Sequence, residues 1–374
     1  MGLGGAQQML ADLVEVRGQD IDASVCSLRE TAFPHLLRRL SACGVRYRTL
    51  ALSKRNVLGV RAVMAMVRQE RPDVVHTHLE YSTTFGGAAA LALGKGHPVI
   101  VAYILNDPAR RQSLLHRLGG RLLAPHLDAH IAISPTIAEA IGVAYGGRAR
   151  RVEVIPPGID LTRFADDAVD PTHVQELRAG ARRVIGTVGR LAAQKAIHVL
   201  IDATPKLLAS DPSTRVLIVG EGPLRGELEE RARHLEVAHA VSFVGHLADV
   251  RPAYKAMDVF VLPSRDEGFG IVFLEAMMMQ VPVVGTRVIG SVDAVEDGVT
   301  GLLAPPGNPA VLADCIMRLL NDEVLARRLR ATAVARVRER FSREQVAGRI
   351  EALYRDLLAS RSAGGRMARP ALAP

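Results

Sequence analysis

Val184-Ile185-Gly186-Thr187-Val188-Gly189-Arg190-Leu191 reads as a strand that empties into a glycine turn, with Gln194-Lys195 just beyond. An unbroken β-branched run, with no polar alternation, suits a strand covered on both faces, as in a parallel sheet. The pattern recurs. Residues 216–219 lead into Gly220-Glu221-Gly222-Pro223, and residues 259–262 lead through Pro263 to Glu267-Gly268-Phe269-Gly270 and an apolar helix ending near Met279. Further strands are predicted at 241–244, 281–284 and 301–303, and upstream at 73–76, 98–102, 130–133 and 152–155. Longer amphipathic runs separate them, which is the pattern of an α/β chain with parallel sheets. Such sheets bind ligands in the crevice beyond the carboxyl ends of their strands.

Two sets of strands imply two domains. Between them lie Pro156-Pro157-Gly158-Ile159-Asp160 and a polar stretch at 166–173, read as a linker. The predicted division is a first domain at 1–165, a second at 166–344, and a terminal segment at 345–374. That segment holds a helix at 345–358 and a Gly, Ala, Pro and Arg-rich tail read as disordered. The chain has 374 residues, 48% hydrophobic and 23% charged, which excludes wholesale disorder. No apolar run is long enough for a spanning helix, and Met1-Gly2-Leu3-Gly4-Gly5 resembles neither a signal peptide nor a lipidation site. Cys26, Cys43 and Cys315 are too dispersed for a disulfide framework and are expected to be reduced, in a cytoplasmic setting. Residues 1–165 carry 20 Lys and Arg against 13 Asp and Glu, while residues 166–374 carry 27 against 26. A basic half implies an anionic neighbour. Aromatics are scarce and no nucleic-acid motif is present, so nucleic acid is not expected.

The chemistry lies in the second half. Arg190 and Lys195, on one loop, can grip a diphosphate and stabilise it as a leaving group. The glycines around Phe269 let backbone N–H groups approach a ligand at a helix start. Glu275 stands among Leu274, Ala276 and Met277, and a carboxylate there needs polar partners. Sugar hydroxyls supply them, and so does a salt bridge, the commoner use of an isolated Glu. Gly220-Glu221-Gly222-Pro223 reads equally as a ligand-facing turn or as a plain loop.

Other features are read as structural. Asp20 and Asp22 form an Asp-x-Asp pair, better explained as surface carboxylates than as metal ligands. His76 and His78 share one face of a strand without a third ligand nearby. Met277-Met278-Met279 is core. In residues 109–123, Arg110, Arg117 and Arg121 run beside Leu114, Leu118 and Leu122. This stripe fits an anionic membrane interface, although a core-facing helix is the commoner reading.

Taken together, Gly-Arg with Lys five residues on, Gly-x-Gly-Pro, and Glu-Gly-Phe-Gly with a second Glu eight residues after the first resemble the retaining glycosyltransferases of family 4. Supporting motifs are Asp73-Val74-Val75-His76, Ile133-Ser134, Ile155-Pro156-Pro157-Gly158-Ile159-Asp160, Phe243-Val244-Gly245 and Val295-Glu296-Asp297-Gly298. The resemblance implies the GT-B fold, two facing Rossmann-like domains with parallel sheets. It implies a hexosyltransferase that uses a nucleotide diphosphate sugar and a glycan or lipid-linked acceptor, with no metal or other cofactor. By position, Arg190 and Lys195 bind the donor diphosphate and Glu267 a hydroxyl of the transferred sugar. Gly189, Gly222, Gly268, Phe269 and Gly270 line the donor, Glu275 takes the ribose, and Gly4 and Gly5 face the phosphates from the first domain. The last helix packs back on the first domain. Residues 109–123 are placed near the acceptor, with the inner face of the cell membrane as a place of attachment.

The chain departs from the family in three ways. A complete strand belongs ahead of Gly4: either the start is misplaced and a β-branched segment lies upstream, or the central strand is absent and a labile first domain is the expected consequence. Leu105 stands where a sugar-facing His is usual, and its side chain can neither donate nor accept. Lys195-Ala196 replaces Lys-Gly, and Ile289-Gly290-Ser291-Val292-Asp293 replaces Gly-Gly-x-Pro-Glu. The competing functions are a nucleotide-sugar hydrolase or epimerase on the same fold and a non-catalytic nucleotide-sugar binder.

Overall fold

The computed structural model describes residues 5–29, 34–52, 59–94, 97–108, 114–165 and 169–362. By internal contacts the chain divides into two units. One comprises Gly5–Gly158 and the segment from Arg343 onward; the other is Ile159–Ser342. The boundary therefore falls after Gly158 rather than after residue 165, and the last helix goes with the first unit.

In the first unit, β1 (Ser24–Ser27) and β2 (Arg46–Thr49) form a parallel pair. β3 (Val74–His78), β4 (Val99–Ile104), β5 (Ala129–Ala132) and β6 (Val152–Val154) form a separate parallel sheet in that order. β4 and β5 are buried along their whole length, which is why their sequences do not alternate. Among the described residues β1 and β2 pair with each other and not with β3. Neither short strand was predicted. Arg46-Tyr47-Arg48-Thr49 carries exposed arginines, and Ser24-Val25-Cys26-Ser27 has one large apolar side chain. Helices Gly59–Glu70 and Glu80–Leu91 cover an apolar cluster to which Cys26 of β1 and Val75 of β3 both contribute. The final helix, Arg343–Ser362, is fixed to this unit. Tyr354 shares a 2.6 Å hydrogen bond with His76, Glu351 accepts from the Gly18 amide at 2.8 Å, and Arg361 pairs with Asp128 at 2.7 Å.

The second unit holds β7 (Arg183–Val188), β8 (Thr214–Val219), β9 (Val241–Gly245), β10 (Val259–Leu262), β11 (Val283–Thr286) and β12 (Leu302–Ala304). All are parallel, in the order β12-β11-β10-β7-β8-β9. The direction of winding reverses between β7 and β10, where a doubly wound sheet opens its binding crevice. Phe260 of β10 faces Gly186 of β7, and a Cβ on Gly186 would lie 2.3 Å from the Met257 methyl, so glycine makes room for that side chain. Ile185, Ile218, Val261 and Val284 meet Leu200, Ile201 and Ile316 in a core with essentially no exposure. The predicted linker at 166–173 contains the start of a helix, Pro171–Arg178. Asp170 caps it by accepting from the Thr172 amide, and Pro171 occupies its first turn. No described helix is long and apolar enough to cross a membrane.

Candidate active site

Two loops leaving adjacent strands build the site. After β7 the chain passes Gly189 and Arg190 into a single 3-10 turn, Ala193–Lys195. After β10 it passes Ser264 to Gly270 and enters helix Ile271–Met278. A backbone bond ties the loops together, the Arg265 amide donating to the Gln194 carbonyl at 2.8 Å. This brings Lys195 Nζ to 2.5 Å from Glu267 Oε2, with the two side chains 13% and 12% exposed. Ser264, fully buried, donates its hydroxyl to the same oxygen at 3.3 Å, and the Thr286 hydroxyl holds the Ser264 carbonyl. Glu267 Oε1 accepts from the Gly268 amide at 3.2 Å. The carboxylate is thus a fixed acceptor beside a cation, ready to receive a hydroxyl. Arg190 is exposed on the β7 loop, and among the described residues its guanidinium has no side-chain partner. One loop therefore offers an engaged cation and an open one, a combination suited to an anion that arrives from solvent.

The glycines play separate parts. The β7 and β8 loops touch through backbone: Leu191 donates to the Glu221 carbonyl at 3.0 Å and Leu224 to the Leu191 carbonyl at 3.1 Å. A Cβ on Gly222 would lie 2.3 Å from the Leu191 carbonyl oxygen, so Gly222 is required by loop packing whatever it does toward a ligand. Gly290 buttresses the β10 loop in the same way, since its Cβ would meet the Glu267 carbonyl at 2.5 Å. Gly270, at φ 85°, opens helix Ile271–Met278 without a side-chain cap, which leaves first-turn amides available for an oxygen-rich ligand. Phe269 is 3% exposed, and its ring packs 5.6 Å from that of Phe341, anchoring the loop. On the next turn of the helix, Glu275 is half-buried and accepts from the Tyr254 hydroxyl at 2.7 Å.

Gly189, Arg190, Lys195, Gly222, Glu267, Gly268, Phe269, Gly270 and Glu275 all belong to this unit and follow β7, β8 or β10. Gly4 lies outside the described residues, and Gly5 begins helix Gly5–Glu15 in the other unit. Leu105 is buried directly after β4. Asp20 pairs with Arg355 at 3.0 Å and Asp22 with Arg46 at 2.9 Å, which makes both ordinary surface carboxylates. His76 and His78 are half-buried on β3, their rings 4.4 Å apart; burial pushes His78 down to about 4, and burial, with the neighbouring His78, holds His76 well below its ordinary value. The Met277–Met279 run is buried as core. Arg110 lies outside the described residues. Helix Leu114–Leu123 turns Leu118 and Leu122 to solvent at 52% and 66% exposure, while Gly119 and Gly120 face Thr84 and Tyr145 of the same unit. Sequence reasoning missed Ser264, Thr286 and Tyr254; Thr286 and Tyr254 reach partners 22 and 21 residues away, Ser264 reaches Glu267 within its own loop, and none follows a motif.

The family model described as Glycosyltransferase Family 4 matches residues 3–163, and that described as Glycosyl transferases group 1 matches residues 182–322. Over 299 residues, 77% of this chain and 69% of the relative, the sequence is 32% identical to glycogen synthase from Mycobacterium tuberculosis. The chain belongs to the glycosyltransferases of family 4. It is also 32% identical over 348 residues to D-inositol 3-phosphate glycosyltransferase from Geodermatophilus obscurus, spanning 83% of this chain and 74% of that one. It covers half the length of the namesake from Nocardia farcinica, at 34% identity over 58% of this chain. Among solved structures, Anabaena HepE in complex with UDP-glucose superposes with a TM-score of 0.82 at 24% identity, over 95% of this glycosyltransferase and 97% of HepE. That likeness shows the fold, GT-B with a Rossmann-like sheet in each unit.

Proposed function

We propose that this glycosyltransferase moves a hexose-type sugar from a nucleotide diphosphate sugar to a glycan or lipid-linked acceptor, with retention at the anomeric carbon and without a metal. The observation that carries the reading is the contact of Lys195 with Glu267 at the switch point between β7 and β10. It sets a phosphate-binding cation against a hydroxyl-binding carboxylate, as the junction of a sugar and a diphosphate requires. Arg190 and Lys195 then stabilise the negative charge that develops on the leaving diphosphate. Glu267 accepts from a sugar hydroxyl, and Glu275 from the ribose. The bond from anomeric carbon to phosphate oxygen breaks while the acceptor oxygen attacks from the same face, its proton passing to the departing phosphate. The names of the glycogen synthase and D-inositol 3-phosphate glycosyltransferase relatives, and the UDP-glucose bound to HepE, support a nucleotide-sugar donor and a hydroxyl acceptor.

For the acceptor side we infer a cytoplasmic enzyme that reaches an anionic membrane through residues 109–123. Exposed Leu118 and Leu122 beside exposed Arg121 support this, an apolar edge next to positive charge. Co-sedimentation with phosphatidylglycerol vesicles but not with phosphatidylcholine vesicles is the expected result, and equal sedimentation would remove the electrostatic component. The reaction itself is tested with a panel of nucleotide sugars, with and without membrane extract, by following nucleotide release and product anomeric configuration by NMR. Release that depends on an acceptor and yields a retained anomer is expected. Release without acceptor points to a hydrolase, an altered nucleotide sugar to an epimerase, and binding without turnover to a non-catalytic protein.

A further inference from the structure

Tyr254 stands on the six-residue helix Arg251–Ala256, which leads into β10, and has no solvent exposure. Phe164 and Phe260 hold its ring edge-on at 6.4 and 5.7 Å, and Phe260 is packed 5.8 Å from Phe273, on the helix that carries Glu275. The ring cannot tilt without disturbing this aromatic row. Its one polar atom reaches the end of that row and donates to Glu275 Oε2 at 2.7 Å, with the Val272 carbonyl at 3.5 Å as its other acceptor. A half-buried carboxylate on an apolar helix has several rotamers open to it, and a hydrogen bond from a rigid buried donor selects one.

We propose that Tyr254 is a positioning residue for nucleotide recognition: its hydroxyl fixes the plane of the Glu275 carboxylate so that the ribose hydroxyls meet a preorganised acceptor. The inference rests on the reading of Glu275 as the ribose ligand and adds the residue that makes it selective. Burial, and secondarily the Glu275 charge, push the Tyr254 hydroxyl well above its ordinary pKa, so it remains a donor wherever the protein is folded. Tyr254→Phe removes the hydroxyl and keeps the packed ring.

The test is calorimetry on the full chain with uridine and guanosine diphosphates, their 2′,3′-dideoxy counterparts, and inorganic pyrophosphate. Wild type, Tyr254→Phe, Glu275→Ala and the double variant are compared. In Tyr254→Phe the better ribonucleotide is expected to weaken about tenfold, the scale of one hydrogen bond to a charged group. The dideoxy nucleotide and pyrophosphate should bind as before, and the double variant should be no weaker than Glu275→Ala. Equal weakening for all three ligands would show a merely structural role and overturn the proposal. Ribose selectivity lost in Glu275→Ala but kept in Tyr254→Phe overturns the role of Tyr254 alone. Selectivity intact in both variants overturns the ribose assignment, and the role of Tyr254 with it.

Discussion

At the residue scale, the proposed reading gives Glu267 and Glu275 different tasks. Glu267 shares its proton-accepting face between Lys195, Ser264 and the Gly268 amide, whereas Glu275 is held by Tyr254 a turn into the helix. Removing Glu275 takes away a charged acceptor for the nucleoside, so Glu275→Ala should weaken nucleotide diphosphate binding by about 1.5–3 kcal/mol, roughly tenfold to a hundredfold. Removing Glu267 frees Lys195 for phosphate, so Glu267→Ala should keep or improve that affinity while turnover falls by a similar factor. Calorimetry beside steady-state rates separates the two; unchanged nucleotide affinity in Glu275→Ala contradicts the ribose assignment. Arg190 and Glu267 were legible as candidates because Gly189 and Gly268 adjoin them, and Lys195 and Glu275 through their spacing from those motifs. Ser264 and Tyr254 were not. A serine after a strand and a tyrosine in a short helix have no pattern of their own, and their roles arise from contacts fixed only when the sheet forms.

At the scale of elements, the donor-side strands were readable because burial on both faces makes them continuous apolar runs, as in β7, β8 and β10. β1 and β2 escaped because half-exposed four-residue strands carry too few apolar side chains to stand out from loops. Gly222 also changes its meaning once the loops are seen. A turn glycine was legible; that it serves the contact with Leu191 was not. Gly222→Ala drives a Cβ into a backbone carbonyl that cannot rotate away, and should destabilise the second unit by about 1–3 kcal/mol while displacing the loop that carries Arg190. Gly226→Ala is the control: nothing lies within 4 Å of its Cβ, it is in helix Arg225–His234, and it should stabilise by about 0.5–1 kcal/mol. Thermal unfolding of both variants decides. Equal melting temperatures would mean that the β7 and β8 loops are not packed as described.

At the scale of the molecule, the two units should respond differently to acid. His130 is buried and His76 and His78 half-buried in the first unit; burial holds His78 and His130 at about 4 and, with His78, lowers His76 well below its ordinary value. In the unfolded chain a histidine titrates near 6.5, so between about pH 6.5 and 4 the unfolded state binds protons that the folded state refuses. Stability therefore falls as pH drops through that window, by roughly 2 kcal/mol at pH 5 for each of His78 and His130. Hydrogen exchange at pH 7.5 and 5.5, corrected for intrinsic rates, should show β3 to β6 losing protection while β7 to β12 keep theirs; uniform loss would contradict this.

The central claim is that Arg190 and Lys195 form a diphosphate site that works without a divalent cation. Titrating uridine and guanosine diphosphates into wild type and into Arg190→Ala/Lys195→Ala, each in excess chelator, tests it most directly. The account expects binding of at least one nucleotide to survive the chelator in wild type, and to weaken by two orders of magnitude or so in the double variant as two charged contacts of about 1.5 kcal/mol each are lost. Binding that the double substitution leaves unchanged, or that chelator abolishes and added magnesium restores, would contradict it.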